Sequence, residues 1–313
     1  MKESLIIICC ILFLTNTGNL IAQNKDSEFI ISKKGGRIIL AYKYFEDYLR
    51  SDKKSWGGYK QQVLEACPEM LAINKKYFSW SNVDSLKFKN DMKNSKIEDW
   101  SWCLNRYDQT TINYLYDSII VKENAILPPV KKQPVDLCFF IPYPGCFVLF
   151  DNNKSTICIS LFIDPKDAGK IMVHEYAHCL YNQRHPEERS SLKGEIVSEG
   201  FAVYMTTLTL SDIDISNAVP FMPASSFKWC LDNENAIKDS IQSDIIAGRS
   251  GFIERYIADG VGYSKPPKGF VEKTGYFIGY QIIKACVDKG MKLEEICSLT
   301  SDEIIKKSGY LEN

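Results

Sequence analysis

Residues 174–178 read His-Glu-Tyr-Ala-His, and this HExxH pentapeptide constrains the fold more than any other feature of the chain. Residues four apart on an α-helix differ by about 40° around the axis and about 6 Å along it, so both imidazoles point one way. In that geometry they can bind a single Zn2+ at roughly 2.0–2.1 Å each. Glu175 lies next to His174 around the helix, too far round to join them as a ligand. It is placed instead to touch a water held by the metal, to take its proton and later to deliver it to a leaving amine. The pentapeptide also falls where independent signals predict a helix. Asp164-Pro165 reads as an N-cap followed by proline at the first helical position, and the helix should run to about Arg184, before His185-Pro186.

A catalytic zinc usually takes three protein ligands and a water. His185 is the one remaining histidine of three. It is out of register for HExxHxxGxxH, in which position 184 would be histidine and 181 glycine; these are Arg184 and Tyr181. Glu199 is the better third ligand. It sits in Glu195-Ile-Val-Ser-Glu199-Gly200-Phe201-Ala202, on a second helix predicted from about Ser190 to Leu210. Small Gly200 and Ala202 would let that helix fold back closely against the first. Glu195, one turn earlier, is either a partner for a ligand histidine or a solvated charge.

The rest of the chain sets the frame. At 45% hydrophobic and 25% charged, its 313 residues suit a folded globular protein rather than a disordered one. With 38 basic against 39 acidic side chains there is no global pull toward nucleic acid, and no nucleic-acid partner is expected. Met1 to Ala22 reads as a secretory signal peptide with an apolar core from Leu5 to Leu14. That run is too short to span a bilayer, which takes about 20 residues. Cleavage after Ala22 would give a secreted or periplasmic protein with no transmembrane segment. Of eleven cysteines, nine lie beyond Cys9 and Cys10, and none forms a CxxC pair. They read either as small buried hydrophobes or as one or two disulfides.

Residues 23–130 are read as a helical N-terminal region. Ile38, Ile39, Tyr42, Phe45 and Leu49 recur at helix spacing, and Gly57-Gly58 interrupts the pattern. Residues 131–313 are read as the catalytic unit. Val135 to Ile141 is short, aromatic and β-branched, and 146–163 reads as a β-hairpin turning at Asp151-Asn152-Asn153-Lys154. Later helices are expected near Phe227–Ala247, Glu272–Lys289 and Ser301–Lys307. The fold class expected is α+β: mostly helical, with a small antiparallel sheet before the HExxH helix.

At these residues the chain resembles the gluzincins, the thermolysin-like clan of HExxH zinc metallopeptidases, whose glutamate ligand lies on a following helix. His174-Glu-Tyr-Ala-His178, then Glu199-Gly-Phe-Ala202, then Gly275-Tyr276-Phe277-Ile278-Gly279-Tyr280 is, more narrowly, similar to a bacterial family of predicted zinc-dependent proteases. That similarity covers about 135 to 290. The resemblance implies a zincin-like fold, His174, His178 and Glu199 as zinc ligands, and Glu175 as general base and acid. It also implies an antiparallel edge strand, from the 146–163 hairpin, that pairs with an extended peptide or protein substrate. The chain departs from the clan in having no late histidine to steady an oxyanion. Tyr276 or Tyr280 can supply that donor, being four apart on one helix; equally, they can be an aromatic core face. A zinc-stabilised envelope binding or assembly protein that cleaves nothing is the alternative to a peptidase, and hydrolysis of a non-peptide amide is a third reading.

Overall fold

The computed structural model describes residues 28–312 except 53, 82, 132, 152–153, 188–190, 249–251 and 258–263. The signal-peptide reading of Met1 to Ala22 therefore lies outside the described residues.

Five strands form one sheet in the order β1-β2-β3-β5-β4. They are β1 (Ile30–Lys33), β2 (Gly36–Ile39), β3 (Val135–Phe140), β4 (Cys146–Asp151) and β5 (Lys154–Ser160). The hairpin expected over 146–163 is β4 and β5, antiparallel, with Phe147 opposite Cys158. The sheet as a whole is mixed rather than antiparallel. The hairpin folds β5 back between β3 and β4, so β5 runs parallel to β3, with Leu137 beside Ile157. β2 also runs parallel to β3, and Ile38 pairs Leu137. Ile38 and Ile39, expected to start a helix, belong to this strand. Their β-branched side chains are fully buried, and the helix whose spacing they match starts only at Tyr42.

The helices of eight residues or more are α1 (Tyr42–Arg50), α2 (Pro68–Trp80), α3 (Ser85–Asn94), α4 (Ile97–Leu104), α5 (Gln109–Ile126), α6 (Pro165–Asn182), α7 (Leu192–Thr209), α8 (Ala224–Asp232), α9 (Glu234–Ile246), α10 (Thr274–Asp288) and α11 (Ser301–Ser308). Gly57 and Gly58 do not break the chain as expected. They lie in a helical turn capped by Ser55, whose Oγ accepts from Gly58 N at 3.0 Å.

Every residue of β3 is buried, as befits an interior strand with parallel neighbours. Its one charged member, Asp136, is held by Arg37 (2.7 Å) and Lys154 (3.4 Å). Both cations also reach Glu69 of α2, at 3.4 and 3.1 Å, which pins that helix to the sheet. α6 is buried along most of its length, from Ile171 to Tyr181. Hydrophobic flanks thus surround the few polar side chains it carries. α7 crosses α10 at Gly200 and Gly279. A Cβ on Gly279 would lie 2.1 Å from the Ile196 carbonyl oxygen, so only glycine permits this backbone contact. Gly200, expected to admit α6, meets α10 instead. Among the described residues no helix is long and apolar enough to cross a membrane. The nine described cysteines are free thiols, all buried except the half-buried Cys146.

Candidate metal centre

α6 begins where the sequence places it. Asp164 Oδ1 accepts from Lys166 N at 3.1 Å and Pro165 occupies the first turn. Ser191 caps α7 in the same manner, accepting from Gly194 N at 2.9 Å. The two capped helices bring His174, His178 and Glu199 together, all three buried. His174 Nε2 stands 3.2 Å from His178 Nε2. Glu199 Oε2 stands 3.0 Å from the first nitrogen and 3.4 Å from the second.

These three separations test whether an ion fits. Donors around a tetrahedral Zn2+ at roughly 2.0–2.1 Å are about 3.3 Å apart, which is the size of this triangle. The donor set, two imidazoles and a carboxylate, is also one that zinc accepts. Burial by itself would push the Glu199 carboxyl up. The charge of His178 and hydrogen bonds from both imidazoles outweigh it and hold Glu199 well below the usual carboxylate range, hence ionised. His178 Nδ1 lies 3.0 Å from Ser198 Oγ, a contact that fixes the ring so that Nε2 faces the triad.

A cavity of about 130 Å³ opens on the triad. Glu175 is buried in its wall, one residue on from His174, and Tyr276 lines it from α10. The Tyr276 ring stacks on that of His174, with centroids 6.0 Å apart. Tyr280 is not among the lining residues. One helical turn carries it past the cavity, and its ring packs on Tyr204 at 5.8 Å. His185 is likewise elsewhere: buried against Tyr181, its Nε2 donates to the Cys297 carbonyl oxygen at 2.9 Å. Glu195 does not line the cavity either.

Sequence reasoning missed several contributors. Ser198 carried a usable signal, as the hydroxyl next to Glu199 on the ligand helix. The edge strand expected from the 146–163 hairpin is β4, which Cys146, Phe147 and Val148 bring to the cavity, though these residues were not singled out. Lys76 reaches it from α2, and Pro220, Phe221 and Lys273 close it from loops. Phe221 (φ 57°) and Lys273 (φ 65°) are the two non-glycine residues with left-handed backbone among those described. Such a conformation costs on the order of 1 kcal/mol or more, and surviving examples concentrate at functional sites.

No curated protein and no solved structure matches the chain. A family model described as "Predicted Zn-dependent protease (DUF2268)" matches residues 135–306, a stretch that holds α6, α7, α10 and the whole triad. That span is more than half of the chain, and the protein belongs to this family.

Proposed function

We propose that the protein is an exported zinc-dependent metallopeptidase whose zinc is held by His174, His178 and Glu199. The observation that carries the reading is the triangle of ligand atoms, sized for a tetrahedral ion and walled by a carboxylate from the same helix. Zn2+ bound there supplies Lewis acidity toward a scissile carbonyl and lowers the pKa of a water. Glu175 takes the proton of the attacking water on its carboxylate and returns it to the leaving nitrogen. The Tyr276 hydroxyl donates to the carbonyl oxygen as charge builds there. β4, at the margin of the sheet and along the cavity, presents its outer edge to an extended peptide, which would add as a further strand. Export rests on the apolar run from Leu5 to Leu14 and the small residue Ala22.

Metal analysis and a peptide-library cleavage assay, with and without chelator, test this reading. One equivalent of zinc and chelator-sensitive cleavage are expected. Glu175→Gln should keep the zinc and lose cleavage by about 10²–10⁴-fold. Wild-type protein without zinc, or undiminished zinc in His178→Ala, would overturn the proposal.

A further inference from the structure

We infer that Phe221 is the platform of a subsite for an aromatic side chain, so that the preferred peptide carries an aromatic residue close to the bond that is cut. This rests on the metallopeptidase reading and extends it to a substrate class.

Val219-Pro220-Phe221-Met222 is a β-turn, closed where Met222 N donates to the Val219 carbonyl oxygen at 3.4 Å. Proline stands second and the third residue, Phe221, has φ 57°, the pattern of a type II turn. That third position ordinarily belongs to glycine or asparagine, because a larger side chain is crowded there. Phenylalanine therefore adds strain at this corner. It adds apolar exposure as well: Val219, Pro220 and Met222 are buried, whereas Phe221 between them is 52% exposed. Of the large apolar side chains exposed among the described residues, Phe221 is the one that lines the cavity. Fold stability explains neither cost, since glycine would remove both. Contact with a substrate explains both.

The ring is also held in place. Val219 and Met222 anchor the turn in the core, and Lys273 Nζ donates to the Pro220 carbonyl oxygen while standing 5.1 Å from the Phe221 ring centre. A platform fixed in this way gives up little freedom when a partner arrives. Two further rings line the same cavity, Phe147 from β4 and Tyr276 from α10. Rings from three separate elements thus share a space of about 130 Å³ that opens on the triad. An apolar protein cavity of roughly 150 Å³ holds a benzene molecule, so the space is of the order of one aromatic ring. Aromatic pairs gain more than their buried area alone, which favours a ring over an aliphatic chain here. An extended peptide projects a side chain about every 3.3 Å, on alternating sides, so a residue within two of the scissile bond reaches Phe221.

Calorimetric titration of zinc-loaded Glu175→Gln protein measures this without turnover. The probes are N-acetyl-pentaalanine amide and its variants with one alanine replaced, at each position in turn, by phenylalanine or by leucine. At least one phenylalanine probe should bind about tenfold tighter than pentaalanine and about threefold tighter than its leucine counterpart. Equal binding of all probes to folded, zinc-loaded protein overturns the proposal, and so does leucine equal to phenylalanine at every position. Adding Phe221→Gly should bring the phenylalanine-to-alanine ratio within about twofold while the melting temperature holds or rises, because glycine relieves the left-handed backbone. Adding Phe221→Tyr should retain most of the ratio. Binding that weakens for every probe alike in Phe221→Gly, with the ratio kept, marks a structural ring and overturns the proposal. Should the glycine variant not fold, Phe221→Asn, which also tolerates this backbone, takes its place. Cleavage by wild-type protein separates the two readings. Phenylalanine preference without cleavage of any peptide keeps the subsite and removes the peptidase; equal cleavage of the alanine, leucine and phenylalanine peptides keeps the peptidase and removes the subsite.

Discussion

His178 Nδ1 meets Ser198 Oγ at 3.0 Å, so the residue that steers one proposed metal ligand immediately precedes another, Glu199, on its helix. Ser198 is buried, and the contact sets both the tautomer and the plane of the ring. Ser198→Ala should lower zinc affinity by about 10–100-fold, measured by competition with a chromogenic chelator, and leave the far-UV circular dichroism unchanged. Undiminished affinity would show that packing alone orients His178.

The contact of α7 with α10 at Gly200 and Gly279 is backbone on backbone. A methyl on Gly279 would also approach Gly200 Cα to 2.8 Å, and neither helix can yield by turning a side chain. Gly279→Ala should destabilise the fold by about 1–3 kcal/mol in denaturant titration. Because α7 carries Glu199 and α10 carries Tyr276, zinc affinity should fall with it. An alanine variant with both stability and affinity intact would disprove this tight crossing.

Glu123, on α5, has no exposed surface, and among the described residues neither carboxyl oxygen has a hydrogen-bond partner. Burial pushes its pKa well above the ordinary value, so the folded protein holds it protonated. The sign follows from linkage. An unfolded chain releases this proton above about pH 4.3, whereas the folded one retains it, so the group lowers stability as pH rises above that value. Glu123→Gln should therefore raise the melting temperature at pH 8 more than at pH 5, read by calorimetry. The opposite order would place a hidden partner on this carboxyl.

Asp136 is 2% exposed and gathers Arg37 and Lys154, both of which keep a third or so of their side chains in solvent. Truncation leaves a void but no stranded charge, because the two cations can rehydrate. Asp136→Ala should thus cost about 2 kcal/mol, less than the 3–5 expected of a fully buried pair. Urea unfolding at low and high salt checks it; a loss that disappears in high salt would make the contribution a screened surface effect.

What was legible in the sequence was local. The HExxH spacing, the Asp164-Pro165 start and the Glu199 position each lie within one or two helical segments, so short-range rules reach them. β2 was not legible. Ile38 and Ile39 suit the inner face of a helix as well as a strand, and the partner that decides is Leu137, far along the chain. Lys76 and Lys273 share a cavity only because the sheet and α10 bring together distant segments. Tyr276 and Tyr280 obey the i, i+4 rule, yet the cavity extends along only the first turn of α10, and the rule alone cannot say how deep a pocket runs.

β3 has a practical meaning for anyone trimming this molecule. The family-matched span starts at Val135, its first residue, while Ile38 and Ile39 sit alongside it from the other end of the sequence. A fragment cut there would lay bare an oily ribbon with unused amide groups along one flank, an invitation to stack with copies of itself. β2, far upstream of that cut, serves as a sheath for the ribbon.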